Sequence, residues 1–174
     1  MDKLSELNNA DKEQAILLLE PLIERAPEIA KRVASRRPFE SPDDLRQAIK
    51  IELLELNETE LINLFRAHPE LAPENPLAMT SPSQSEQERL NLTSGENEHR
   101  ARLAELNASY RDKFGFPFIT ALVCHQNMDT VLSEFEARLT SNRGTEVEQA
   151  IEQIVIVSSS RVGAAFGGED EITS

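Results

Sequence analysis

Apolar residues recur along this chain three and four apart, and few stretches alternate as a strand requires. Glycine is scarce, with 6 in 174 residues, and the 9 prolines fall mostly at segment edges. This pattern predicts an all-α chain. One or two helices are expected over Leu4 to Leu19, broken at Pro21, then a short one from Pro27 to Arg36. Ser41-Pro42-Asp43-Asp44 is a strong helix start: a Ser cap, Pro in the first turn, and acids beside the positive end of the dipole. Leu45, Ala48, Ile49, Leu53 and Leu56 then mark a buried face. Glu58 to Ala67 carries Leu61, Leu64 and Phe65 on one stripe, and Leu71 to Ser81 reads as a loop. A short helix is expected over Ser83 to Leu90. A long one opens at the Thr93-x-x-Glu96 capping box and stops at Gly115. Phe116 to Cys124 fits a β-like segment or a short helix equally well. Met128, Val131, Leu132, Phe135 and Leu139 form the next stripe, and the last helix is expected from Thr145 to about Phe166. No repeat or linker divides the chain, so residues 1–166 are expected as one helical domain and 167–174 as a flexible acidic tail.

A chain of this length buries about 70% of its unfolded surface and needs no metal or disulfide to fold. Lys and Arg number 18 against 31 Asp and Glu, a net charge of −13. That balance argues against nucleic acid and against an anionic membrane surface, both of which call for a basic face. It also means that an anionic ligand needs a local cation. The single cysteine, Cys124, allows no internal disulfide and no multi-cysteine metal site, and is expected to pack in the core. No metal site is expected from the three dispersed histidines, His68, His99 and His125. No signal segment or long apolar run is visible, so a cytoplasmic protein is expected. Phosphate loops, Gly-x-Ser-x-Gly and His-Glu-x-x-His are all absent from the sequence.

More informative are polar residues where core residues belong. On the last helix, Arg161 lies within about 40° of Val147, Ala150, Ile154 and Val157 around the axis. Burying an unpaired guanidinium is costly, so Arg161 should meet an anion. A ligand anion, an internal salt bridge and a cation snorkelling near a helix C-terminus all satisfy that demand. His68 lies within about 60° of the Leu61, Leu64 and Phe65 stripe, directly before Pro69. It reads as a capping or core histidine, or as a general acid or base. Ser83-Gln84-Ser85-Glu86-Gln87 contains a capping box, which spacing alone favours. A helix N-terminus is also an anion site, and Glu86 and Gln87 suit urea-like N–H groups. Four of the eight Phe and Tyr residues fall between Tyr110 and Phe118, explained by core packing or by a rigid turn lining a pocket.

Taken in order, several segments resemble one family. They are Arg37-Pro38-Phe39, His68-Pro69-Glu70-Leu71, Ser83-x-x-Glu86-Gln87, Leu106-Asn107-x-x-Tyr110, Lys113-Phe114-Gly115-Phe116-Pro117-Phe118, Arg138-Leu139, Glu146 and Arg161. Their order and spacing resemble the 2-oxo-4-hydroxy-4-carboxy-5-ureidoimidazoline (OHCU) decarboxylases from about Asp11 to Val162. Two departures stand out: Leu90 and Asn91 replace a small Ala-Gly pair, and no tryptophan precedes Arg37.

The resemblance implies an all-helical bundle, usually a homodimer. It implies a cofactor-independent step of urate degradation in which OHCU loses CO2 and becomes (S)-allantoin. His68, Glu86 and Arg161 would then be catalytic, with His68 the proton donor. Pro69, Ser83, Gln84, Ser85, Glu86, Gln87, Phe118, Ile119, Thr120, Ala121, Leu122 and Arg161 would bind substrate. Two other readings stay open: a related ureido-acid decarboxylase or lyase, and a non-catalytic helical interaction module. Convergence separates them, because an enzyme must bring His68, Glu86 and Arg161 into one pocket.

Overall fold

The computed structural model describes residues 2–23, 25–68, 70–71, 86–89 and 99–167. Its elements, in chain order, are α1 (Lys3–Asn9), α2 (Lys12–Leu19), a 3-10 turn (Glu20–Leu22), α3 (Pro27–Ala34), α4 (Pro42–Leu54) and α5 (Glu58–Arg66). A helical turn follows at 86–89. Then come α6 (Arg100–Phe114), a second 3-10 turn (Leu122–Cys124), α7 (Met128–Leu139) and α8 (Arg143–Phe166). No strand occurs among the described residues, so the all-α expectation holds.

Local chemistry sets the helix starts. Side chains of Asp2, Asp11, Ser41, Asn57, Asn127 and Asn142 each accept from a backbone N–H three residues on. Each thereby satisfies a donor that the first helical turn leaves orphaned. Asn57 and Glu60 complete a reciprocal capping box. The Asn142 cap starts α8 at Arg143, two residues earlier than expected. Gly115 ends α6 at φ 83°, a left-handed geometry that favours glycine. The expected start at Thr93-x-x-Glu96, the Leu90-Asn91 pair and the tail beyond Gly167 lie outside the described residues.

Helix α8 is the spine. It packs along α4 and also meets α1 and both 3-10 turns. Arg37 ties the N-terminal helices together by donating to the carbonyls of Leu7, Ala10 and Ala34, near the C-terminal ends of α1 and α3. The core holds Leu45, Ile49 and Leu53 of α4, Phe65 of α5, Leu103 and Tyr110 of α6, and Phe135 of α7. Phe118 stacks on Phe135 with centroids 3.8 Å apart, and Tyr110 meets both rings edge-on. Each buried aromatic contributes on the order of 1.5–3 kcal/mol, before the entropy of ordering is set against it.

The segment the sequence left open, from Phe116 to Cys124, is irregular and then turns into the 3-10 element. Leu122 faces inward and Cys124 is exposed. The expected core packing of Cys124 is therefore corrected: the tight turn rotates it to the outside. Among the described residues, no helix is long and apolar enough to cross a membrane.

Candidate active site

Five elements converge on one cleft. The Glu20–Leu22 turn and the residue after it supply Leu22 and Ile23. His68 and Leu71 follow α5, and Glu86 and Gln87 come from the turn at 86–89. Phe118, Ile119, Thr120 and Leu122 come from the segment after α6. Helix α8 supplies Ile154, Val157 and Arg161. The cleft encloses about 580 Å³ of space between atoms, part of it open to solvent.

His68 sits two residues past the end of α5. Its Nδ1 lies 2.8 Å from the Leu64 carbonyl. A carbonyl can accept and never donate, so Nδ1 carries a proton in either charge state. Proton exchange with a ligand therefore belongs to Nε2. One nitrogen caps the helix, and the ring lines the cleft.

Arg161 is 9% exposed and finds the anion that its position demands. Its Nη2 meets Glu86 Oε1 at 2.5 Å, its Nε lies 3.4 Å from Oε2, and its Nη1 donates to the Pro21 carbonyl at 3.2 Å. Salt bridge and ligand-facing cation are again compatible, because the pair lines the cleft. Glu86 is half-buried, so water screens part of the attraction. Gln87 is buried, and its Nε2 donates to the Glu70 carbonyl at 3.1 Å, tying this turn to the stretch just after His68. Arg89 adds a second tie by donating to the carbonyls of Leu122 and His125.

Of the expected site residues, the cleft brings together His68, Glu86, Gln87, Phe118, Ile119, Thr120, Leu122 and Arg161. Ala121 is fully buried behind the wall, its N–H donating to Gln153 Oε1 at 2.9 Å. Pro69, Ser83, Gln84 and Ser85 lie outside the described residues. Sequence reasoning missed the apolar wall of Leu22, Ile23, Leu71, Ile154 and Val157. Ile154 and Val157 were detectable, since they precede Arg161 by seven and four residues on one helix face. Leu22 and Ile23 carried no signal beyond Pro21. Among the described residues, no three His, Cys, Asp or Glu side chains are grouped to hold a metal ion.

Comparisons with known proteins bear on the family and the fold. The OHCU decarboxylase family model matches residues 8–163. The 2-oxo-4-hydroxy-4-carboxy-5-ureidoimidazoline decarboxylase of Haloferax volcanii is 31% identical over 166 residues, covering 95% of this chain and 97% of that protein. The protein of the same description from Halalkalicoccus jeotgali is 33% identical over 159 residues, covering 91% and 89%. In fold, the chain is similar to a crystal structure of (S)-allantoin synthase, with a TM-score of 0.71 at 23% identity. That match covers 95% of this chain and spans 54% of the synthase chain. A crystal structure of OHCU decarboxylase in the presence of (S)-allantoin gives a TM-score of 0.69 at 21% identity, covering 91% of this chain and 100% of that one.

Proposed function

This chain belongs to the OHCU decarboxylase family, and we propose on that premise that it is a carboxy-lyase converting OHCU to (S)-allantoin in urate degradation. The observation that carries the reading is the convergence of His68, Glu86 and Arg161 on one cleft, from segments far apart in sequence.

The chemistry asks little of the protein beyond placement. The bond from ring carbon to CO2 breaks, and its electron pair moves into the ring as an enolate-like carbanion. A proton then goes to the ring carbon that becomes the stereocentre. The protein must orient the substrate, stabilise the developing charge and deliver that proton to one face. Arg161, pre-aligned by Glu86 and the Pro21 carbonyl, holds a substrate oxygen through its planar fork. Glu86 and the Oε1 of Gln87 accept from ureido N–H groups. The apolar wall covers the ring and limits water around the carbanion. His68 donates from Nε2. Because Nδ1–H is committed to Leu64, the ring has a proton to give at Nε2 when it is an imidazolium. The proposal includes a cytoplasmic homodimer. The dimer rests on the family resemblance alone.

The test is the decay of OHCU generated in situ from urate with urate oxidase and hydroxyisourate hydrolase. Decay well above the spontaneous rate supports the proposal. The spontaneous rate with folded protein contradicts it and favours a related ureido acid as substrate.

A further inference from the structure

Residues 118–121 run through the interior without a helical ladder to satisfy their peptide groups. Buried peptide groups need partners, so each one can be traced. The Ile119 carbonyl accepts from Arg138 Nη1 at 2.6 Å. The Ala121 N–H donates to Gln153 Oε1. Between them stands the Thr120 N–H, which has no hydrogen-bond acceptor among the described residues. The peptide joining Ile119 to Thr120 is trans and planar, so its N–H points opposite to its carbonyl. With the carbonyl drawn to Arg138, the N–H is turned the other way. Thr120 is itself a cleft residue.

Arg138 is well fixed for this task. It is 7% exposed and takes no part in lining the cleft. Its Nε donates to Glu146 Oε1 at 2.8 Å, and the Tyr110 hydroxyl donates to the same oxygen at 2.7 Å. Its guanidinium also lies over the Phe118 ring, 4.5 Å from the centroid. A planar fork reaches Glu146 and the Ile119 carbonyl together, whereas a lysine ammonium is a single point.

We propose that Arg138 is a positioning residue: by holding the Ile119 carbonyl it turns the Thr120 N–H into the cleft, as a main-chain donor to the ligand oxygen that gains charge when CO2 leaves. This rests on the decarboxylase reading of the cleft. Such a donor acts mainly on the transition state, so its loss lowers kcat more than it raises KM.

Two variants test it. Arg138→Lys keeps a cation against Glu146. Arg138→Met with Glu146→Gln removes both buried charges, so that neither is left uncompensated. Removing one oxyanion donor outright typically costs 10²- to 10³-fold, so a misaligned one should lower kcat by about 10- to 100-fold. KM should move by less than about threefold, and the pH profile of kcat should stay in place. Amide exchange gives an independent measure. In unliganded wild-type protein Thr120 should exchange quickly and Ala121 slowly. Adding (S)-allantoin should slow Thr120 in wild type and leave it fast in Arg138→Lys. Wild-type kcat in a folded variant would overturn the inference, as would a Thr120 amide as protected as Ala121 before ligand is added. Failure of wild-type protein to accelerate OHCU decay would defeat the decarboxylase reading instead, and the unliganded exchange would still decide where the Thr120 N–H points.

Discussion

The guanidinium of Arg161 reaches Glu86 on one edge and the Pro21 carbonyl on the other, which a lysine at that position could not do. Arg161→Lys should therefore fold but raise KM about tenfold or more, the usual worth of a charge-assisted hydrogen bond. Steady-state kinetics on OHCU checks this, and an unchanged KM would remove Arg161 from substrate contact. At this scale the sequence was informative wherever a polar residue broke an apolar stripe. Arg161 and His68 stood out for that reason, and the demand for an anion beside Arg161 was correct. Its identity as Glu86 was not readable by spacing. The two residues are 75 positions apart, and helical periodicity carries no information across that distance.

Helices α6, α7 and α8 share a buried polar junction in which Tyr110 and Arg138 both bond Glu146. Burial, and then the bond to Glu146, hold the Tyr110 hydroxyl well above its ordinary acidity range. A folded pKa above the unfolded one means that this contribution to stability is complete below about pH 10 and is lost as pH rises beyond it. Denaturation midpoints should thus fall steeply on the alkaline side in the wild-type protein. Tyr110→Phe should flatten that limb, at a cost of about 1–2 kcal/mol near neutrality for the lost bond to Glu146. Equal alkaline slopes in the two proteins would contradict the assignment. Helix existence was legible because caps and stripes are local signals. The stretch from Phe116 to Cys124 was not, because Phe116, Phe118, Ile119, Thr120, Ala121 and Leu122 are all buried. A segment enclosed on every side has no polar face and hence no period.

For the whole molecule, a net charge of −13 opposes the approach of an anionic substrate, and within the cleft Arg161 meets it as one half of an ion pair with Glu86. Raising ionic strength from about 10 to 150 mM shortens the Debye length to about 8 Å, so kcat/KM should rise modestly, by about two- to threefold, with kcat unchanged. A fall instead would mean that the local field of Arg161 governs encounter. Periodicity foretold an all-helical chain, and the resemblance named its family. The resemblance implied one pocket for His68, Glu86 and Arg161, but nothing foretold that α8 acts as the spine or that the Glu20–Leu22 turn joins them. That arrangement depends on long-range packing, and in the proposed function it serves to deliver the proton to one face. The most direct test of it is the circular dichroism of the allantoin formed by wild-type protein and by a folded His68→Ala variant. Wild type should give (S)-allantoin alone, whereas turnover in the variant should fall about 10²- to 10⁴-fold and its product should be racemic. Wild-type rate and a single enantiomer from the variant would contradict His68 as the proton donor.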